Sequence, residues 1–267
     1  MIAVVMSVYA GDKLEYLIEA LESLYGQLYN NFDIFIQIDG KVSSKIELYL
    51  DCEFIKKRIF FLNKRQENKG LAYSLNEILK FVLVRDYRYI ARMDADDICE
   101  SNRFSKQFVF MENNKNCDVV GSNILEFYED GRERLVTYKT SSEGIKADFS
   151  TKTAIPHVSA FFRKSFFDKS GLYNVNSNRN EDQWLWLDGF MKGCIFSSIP
   201  NPLVKVRMSS NLLSRRGDFK HNFNTLKLRN RIVFLLKFNK IYYLYNILVF
   251  FIKMQPLWLL KIIYKSR

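Results

Sequence analysis

The sequence predicts an α/β protein: a mainly parallel sheet with flanking helices, followed by a basic amphipathic helical segment. Two observations support this prediction. An apolar, strand-like run opens the chain at residues 2–9, and similar runs then alternate with helically spaced ones over about a hundred residues. Such alternation favours a parallel sheet that is covered on both faces. Ligands of these sheets bind where the carboxyl ends of the strands open.

Each further element follows from its own pattern. Between residues 12 and 26, apolar side chains recur at helical spacing, with Asp12 placed to cap the helix and Gly26 to end it. The other predicted elements are strands at 33–39, 58–63 and 87–94 and a helix at 69–83. Because Asp39 ends the second strand and Asp94 the fourth, we expect both carboxylates to face one crevice.

The charge of the chain is unevenly distributed. The 267 residues are 48% hydrophobic and carry a net charge of +11, enough apolar content for one main domain with an appendage. From Lys205 onward, fourteen Lys and Arg face a single acidic residue, Asp218, whereas residues 1–204 are almost neutral. The excess positive charge is therefore confined to the C-terminal segment.

Several classes of protein are disfavoured. Four widely spaced cysteines without a C-x-x-C pair argue against a zinc site or a disulfide framework and fit a reducing cytoplasm. The apolar N-terminus lacks a basic leader and is expected to be a buried strand instead of a signal peptide. No apolar run reaches the roughly 18–20 residues of a membrane span, since residues 241–252 are too few.

Three aspartates, Asp94, Asp96 and Asp97, follow the fourth predicted strand. One interpretation is a solvated turn and helix cap, for which aspartate is common. The other is a divalent cation site, because carboxylates two residues apart at a strand end can both reach one ion. Mg²⁺ and Mn²⁺ prefer oxygen ligands and usually share them with substrate phosphates. Both interpretations remain open.

Other candidates lie at the same predicted edge. Ser7 and Tyr9 end the first strand, where the ring could stack on a planar base or simply pack on a loop. Asp39 could accept a hydrogen bond from a base. Lys69 and Gly70 open a helix whose N-terminus attracts phosphate, although an ordinary capped surface helix has the same pattern.

A second acidic pair, Glu181 and Asp182, begins a later aromatic helix. Such a pair is usually a favourable partner of the helix dipole. It also gives a carboxylate a rigid position beside apolar walls, which is the setting of a general base.

Six motifs follow one another along the chain: SVYAGD at 7–12, IDG at 38–40, NKGLAYSLN at 68–76, ARMDADD at 91–97, PHVSAFFRKS at 156–165 and NEDQWLW at 180–186. This ordered set resembles the inverting nucleotide-sugar glycosyltransferases of family two, which have the Rossmann-like GT-A fold. The resemblance covers about residues 1–210. It is strongest to bacterial enzymes that extend lipid-linked O-antigen or exopolysaccharide units.

The resemblance implies donor-side roles for most of these residues. Ser7, Tyr9 and Asp39 would hold the uridine, and Lys69 and Gly70 would lie near the nucleotide. The D-x-D pair, Asp94 and Asp96, would bind Mn²⁺ or Mg²⁺ together with the ribose and diphosphate.

It also implies acceptor-side roles. Asp182 would be the catalytic base, with Glu181 supporting the acceptor. His157 falls in a segment that borders the acceptor side in relatives, although a structural histidine fits equally well. Two positions depart from the family pattern: Ile38 replaces a frequent aspartate, and Met208 replaces a frequent histidine that can reach the metal. The processive Q-x-x-R-W pattern is absent, so one sugar per acceptor is expected.

The implied activity is a UDP-sugar-dependent hexosyltransferase of polysaccharide biosynthesis. The leading hypothesis is β-1,3 transfer of galactose to an N-acetylhexosamine-diphosphate-polyprenyl acceptor, with UDP-glucose and UDP-N-acetylglucosamine as alternative donors. From other classes, the alternatives are a sugar nucleotidyltransferase and a basic nucleic-acid-binding protein, although no nucleic-acid partner is expected.

We predict a catalytic domain at 1–210 and a basic amphipathic segment at 211–267. That segment could lie in a membrane interface or pack on the domain. The expected location is the cytoplasm, on the inner face of the cytoplasmic membrane.

Overall fold

The computed structural model describes residues 1–208 and 218–255. The strands are β1 Ile2–Tyr9, β2 Phe32–Asp39, β3 Phe61–Arg65, β4 Tyr89–Arg92, β5 Ile98–Cys99, β6 Val119–Tyr128, β7 Glu133–Val136, β8 Phe161–Arg163 and β9 Phe196–Met208. The helices are α1 Leu14–Tyr25, α2 Ser44–Ile55, α3 Leu71–Val82, α4 Arg103–Asn113, α5 Ser142–Asp148, α6 Ser165–Ser170, α7 Glu181–Met191, α8 Phe219–Leu235 and α9 Ile241–Lys253, with a 3-10 turn at His157–Ser159.

The strands form one sheet in the order β3-β2-β1-β4-β8-β6-β9-β5, with β7 paired to β6. From β3 to β4 every pair is parallel, as the alternation of strands and helices predicted. Strand β8 is antiparallel to both of its neighbours, β4 and β6, whereas β6 and β9 are parallel. The α/β class is therefore confirmed, and the carboxyl ends of β1, β2 and β4 meet at one edge.

Two hydrophobic cores lie on opposite faces of this sheet. Val4, Met6 and Val8 of β1 are buried in the core that α1, α2 and α4 cover. The alternate residues Ala3 and Val5 enter the core formed with α3, α6, α7 and α8. Because both faces of β1 are buried, the strand is apolar along its length, which explains the opening run of the sequence.

The start of α1 differs from the prediction. The helix begins at Leu14, and the residue before it, Lys13, makes no side-chain cap. The Oδ2 atom of Asp12 instead accepts a hydrogen bond from the Tyr9 N–H at 2.8 Å. The predicted capping role of Asp12 is therefore wrong: the turn after β1 directs its carboxylate back to the strand end. Gly26 follows the helix as predicted.

Helix α8 packs against the sheet domain. Leu228 and Ile232 are buried in the second core, and the Thr225 hydroxyl donates to Asn180 Oδ1 at 3.0 Å. The predicted division at residue 210 lies outside the described residues and remains a prediction.

Helix α9 packs on α8 and leaves an apolar face exposed. Its exposed apolar residues are Ile241, Leu244, Tyr245, Ile247, Leu248 and Phe251. Within residues 1–208 and 218–255, every helix is too short or too polar to cross a bilayer.

Candidate active site

The carboxyl ends of β1 and β2 hold three of the predicted residues side by side. Ser7 and Tyr9 of β1 lie opposite Gln37 and Asp39 of β2 in the parallel register. Both β1 residues are half-buried, whereas Asp39 is only 2% exposed. The predicted grouping of Tyr9 with Asp39 is thus present in the fold.

Asp39 also joins β2 to the start of α3. Its Oδ1 accepts the Lys69 N–H and its Oδ2 accepts the Gly70 N–H, each at 2.8 Å. Gly70 precedes the helix with φ +90°, a conformation that side chains rarely adopt. The carboxylate therefore brings together Asp39, Lys69 and Gly70 and orients the loop before α3.

Arg65 is a member of this group that the sequence analysis missed. Its guanidinium pairs with both Asp39 and Glu77 and donates to Ser74 Oγ at 2.9 Å. Arg65 ends β3 directly opposite Asp39 in the parallel register. The available signal was a cation at the end of the adjacent strand. Pairing it with Asp39 required knowledge of the β2–β3 register.

The three aspartates after β4 occupy different environments. Asp94 is partly exposed and forms an ion pair with the buried Arg92, the last residue of β4. Asp97 is 3% exposed, and its Oδ1 accepts the Arg207 N–H at 2.8 Å. The Arg207 Nε donates to the backbone oxygen of Asp96 at 3.1 Å, so the end of β9 ties down the loop.

The alternative role of this cluster as a helix cap does not hold. Helix α4 begins at Arg103, and the residue before it is Asn102. The aspartates instead lie between β4 and β5, and Asp97 is buried and not solvated. The cluster is therefore part of the strand-end edge.

Electrostatics at this edge fit a divalent cation. Burial raises the pKa of Asp96, and the charge of Asp94 raises it further. Burial also raises the pKa of Asp12 to about 7, with further contributions from Asp96 and Asp94. Among the described residues, no three His, Cys, Asp or Glu side chains form a metal cage. The two carboxylates of Asp94 and Asp96 suit an ion that takes its other ligands from substrate phosphates.

The side-chain hydrogen bonds of the acidic pair of α7 are long. Asp182 Oδ2 accepts from the Thr153 hydroxyl at 3.5 Å and from the Gln183 amide at 3.3 Å. Glu181 Oε2 accepts from the Ser177 hydroxyl at 3.4 Å. These distances are longer than those of ordinary bonds to a carboxylate. Both carboxylates thus retain the capacity to accept a proton.

Burial sets the proton affinity of this pair. It raises the pKa of Asp182, while the charge of Arg229 on α8 opposes the increase. The pKa of Glu181 is raised to about 7, first by burial and then by the adjacent Asp182. Carboxylates tuned toward neutral pH are typical of general bases.

Tyr173 links the two acidic regions. Burial raises the pKa of its phenol, and the charges of Glu181, Asp182 and Asp94 also raise it. These carboxylates therefore all lie within electrostatic range of one hydroxyl, which places the D-x-D segment near the E-D pair. Tyr173 was not predicted as a candidate, because nothing in its local sequence distinguishes a site tyrosine from a core one.

His157 lies beside Tyr173. Its Nε2 is 2.8 Å from the Tyr173 hydroxyl. Burial lowers the pKa of His157 well below its usual value, and Arg92 contributes to the decrease. The imidazole is therefore neutral and engaged with Tyr173.

An open cavity of about 370 Å³ lies between two predicted donor residues, Lys69 and Gly70, and one predicted acceptor residue, Glu181. Lys69 and Gly70 line one side, and Glu181 with residues 175–179 lines the other. The two departures from the family pattern lie apart from this space: Ile38 is buried in the first core, and Met208 ends β9.

Comparison with known proteins identifies the family. The profile described as "Glycosyl transferase family 2" matches residues 3–171. The chain is 31% identical to the amylovoran biosynthesis glycosyltransferase AmsE of Erwinia amylovora, over 83% of this chain and 81% of that protein. It is 29% identical to the UDP-Gal:alpha-D-GlcNAc-diphosphoundecaprenol beta-1,3-galactosyltransferase of Escherichia coli, over 84% and 80% respectively.

Solved structures share the fold. Residues 1–349 of S. aureus TarS, in complex with UDP-GlcNAc, match with a TM-score of 0.62 at 13% identity, over 89% of this chain and 71% of that one. The mannosyltransferase PcManGT of Pyrobaculum calidifontis, with GDP-Man and Mn²⁺, matches with a TM-score of 0.61 at 12% identity, over 85% and 62%. The sheet, the matched profile and these relatives together show that the chain belongs to glycosyl transferase family 2 and has the GT-A fold.

Proposed function

We propose that the chain transfers a hexose from a UDP-sugar to an N-acetylhexosamine attached to a polyprenyl diphosphate, with inversion at the anomeric carbon. One observation supports this most strongly: Lys69 and Gly70 share a cavity with Glu181. A donor held at the strand ends would therefore meet an acceptor beside α7.

Donor binding falls to the strand-end residues in this proposal. Ser7, Tyr9 and Asp39 hold the uridine, and Lys69 and Gly70 lie at the nucleotide. Asp94 and Asp96 hold the divalent cation, Mn²⁺ or Mg²⁺, which would offset the negative charge on the departing UDP. Asp39 is already bound to Arg65 and the loop before α3, so we assign it the positioning of this loop as well as contact with the base.

Asp182 is the proposed general base. It removes the proton from an acceptor hydroxyl, and that oxygen attacks the anomeric carbon from the face opposite the diphosphate. An α-linked donor sugar then gives a β-glycoside. Glu181 supports the acceptor, and His157 orients the Tyr173 hydroxyl at the edge of the acceptor space.

The exposed face of α9 favours action at a membrane surface. Leu244, Leu248 and Phe251 are each 59% exposed or more and lie on one side of the helix. The surrounding segment is strongly basic and would be attracted to anionic lipid headgroups. We therefore propose a peripheral location on the inner face of the cytoplasmic membrane, where a polyprenyl-linked acceptor would be met.

Galactose in β-1,3 linkage is the proposed transferred sugar. The Escherichia coli relative supports this choice through its name, at 29% identity. UDP-glucose and UDP-N-acetylglucosamine are the alternative donors.

The test is a panel of UDP-sugars offered to the full chain with a synthetic N-acetylhexosamine-diphosphate-lipid and Mn²⁺. We expect UDP release with one donor, and a β-linked disaccharide by NMR. Release of pyrophosphate instead of UDP would identify a nucleotidyltransferase. An α-linked product would contradict inversion.

A further inference from the structure

A second cavity lies between the two C-terminal helices. It encloses about 210 Å³, space for several water molecules at about 30 Å³ each. The residues lining it are Thr151, Asn222, Thr225, Leu226, Arg229, Tyr245, Asn246, Val249, Phe250, Ile252 and Lys253. The lining combines two cationic side chains and several hydrogen-bonding groups with an apolar wall from α9.

Arg229 is the anchored cation of this cavity. Its Nη1 donates to the carbonyl oxygens of Phe149 at 2.9 Å and Lys152 at 2.8 Å. In the described part of the chain, its Nε and Nη2 bond to no acceptor. Burial lowers the pKa of Arg229 to about 10, which reflects an incompletely compensated charge. The guanidinium is held in place with donors left for an anion.

This cavity adjoins the proposed base. The charges of Arg229 and Asp182 stabilise each other. They are also connected through the chain: Arg229 binds the carbonyl of Lys152, and the next residue, Thr153, donates to Asp182. An acceptor sugar with its hydroxyl at Asp182 and its reducing end toward Arg229 would span these two groups.

We propose that the cavity between α8 and α9 binds the diphosphate of the lipid-linked acceptor, with Arg229 as its principal cation. This inference rests on the proposed function. Because the apolar wall formed by Tyr245, Val249 and Phe250 leads to the exposed face of α9, the same surface directs the lipid chain away from the site. Phosphoryl oxygens suit the planar, fixed donors of a guanidinium.

The test measures binding of three probes to the full chain loaded with UDP and Mn²⁺: undecyl diphosphate, undecyl monophosphate and undecanol. The wild type should bind the diphosphate at least about tenfold more tightly than the alcohol, because a hydrogen bond to a charged group contributes about 1.5–3 kcal/mol. Arg229→Gln should abolish this preference. Equal binding of all three probes by the wild type would overturn the proposal.

Two variants guard against misfolding and nonspecific charge effects. Arg231→Gln removes the same charge from the exposed side of α8 and should retain the preference. Val249→Trp should fill the cavity from α9 and weaken diphosphate binding without touching Arg229. If Val249→Trp and Arg229→Gln fold normally and bind the diphosphate like the wild type, the proposal is wrong.

Vesicles of phosphatidylglycerol test whether the cavity binds a lipid headgroup instead of the acceptor diphosphate. If Arg229→Gln loses vesicle binding but keeps its preference for the diphosphate, the cavity binds a headgroup and the acceptor assignment fails. The proposed function is tested separately by UDP release from UDP-sugars, which does not depend on these probes.

Discussion

Two carboxylates of this molecule, the buried Asp39 and the half-buried Asp182, have opposite surroundings. Asp39 accepts two backbone N–H groups at 2.8 Å and pairs with Arg65. The side-chain bonds that Asp182 accepts are longer, at 3.3 and 3.5 Å, a backbone bond comes from Gln183, and burial raises the pKa of Asp182. The first is held by a cation and two backbone amides, whereas the side-chain partners of the second are neutral and make long bonds.

This difference distinguishes a region that positions the donor from a region that transfers a proton. A carboxylate with short bonds to a cation and to backbone amides stays ionised and fixes the geometry of a loop. A carboxylate with long bonds in an apolar setting has a raised proton affinity, as a base requires. We therefore assign the Asp39 region to positioning of the donor and the Asp182 region to proton transfer.

The largest expected effect is on turnover in Asp182→Asn. The amide keeps the size of the side chain but cannot take the acceptor proton, so kcat should fall by about 10²–10⁴-fold. UDP binding, measured by calorimetry, should change little. Asp188→Asn on the same helix is the matched control and should transfer normally. Near-normal turnover of Asp182→Asn would remove the proposed base.

Asp96→Ala should act on the donor region instead. Loss of one carboxylate ligand should weaken Mn²⁺-dependent UDP binding by about 10–100-fold while leaving metal-free binding unchanged. A titration of UDP at several Mn²⁺ concentrations measures both. The same Mn²⁺ dependence in the variant and the wild type would exclude Asp96 as a ligand.

Asp39→Asn should weaken donor binding by about tenfold and lower the melting temperature, because Arg65 loses a buried partner. Glu77→Gln, which removes the more exposed partner of Arg65, is the control and should preserve UDP affinity. If Asp39→Asn melted at a lower temperature but bound UDP normally, Asp39 would have a structural role only.

The smallest expected effect is a shift in pH dependence. Transfer requires ionised Asp182, so activity is present above its pKa and is lost as the pH falls through it. The raised pKa places this loss above the usual value of about 4. Because Arg229 opposes the increase, Arg229→Gln should move the acid limb of kcat upward by up to about one unit. Arg231→Gln should not move it, and a downward shift with Arg229→Gln would contradict the assignment.

Local patterns predicted the parallel half of the fold well. The opening strand is found where it was expected. Because both of its faces are buried, the strand is apolar along its length, and this pattern is visible in the sequence. The third strand was predicted at 58–63 but lies at 61–65. The apolar residues of this stretch begin before the strand does, whereas pairing with β2 determines where the strand begins and ends.

The candidate site could be predicted where its residues are neighbours in the sequence. It could not be predicted where they come from different strands and helices. The D-x-D and E-D segments are recognisable as short motifs in the sequence. Arg65, Arg92 and Tyr173 acquire their significance only from register and from packing between strands and helices. The position of β8 between β4 and β6, which brings His157 to the cleft, was equally inaccessible to local patterns.

The central claim is that donor carboxylates and base border one cleft. A crystal structure of the wild type with Mn²⁺ and a non-hydrolysable UDP-sugar tests it most directly. We predict the metal between Asp94 and Asp96 and the anomeric carbon facing Asp182 across a gap that one acceptor oxygen would fill. A sugar ring directed away from α7, with Asp182 beyond reach of an attacking hydroxyl, would contradict the account.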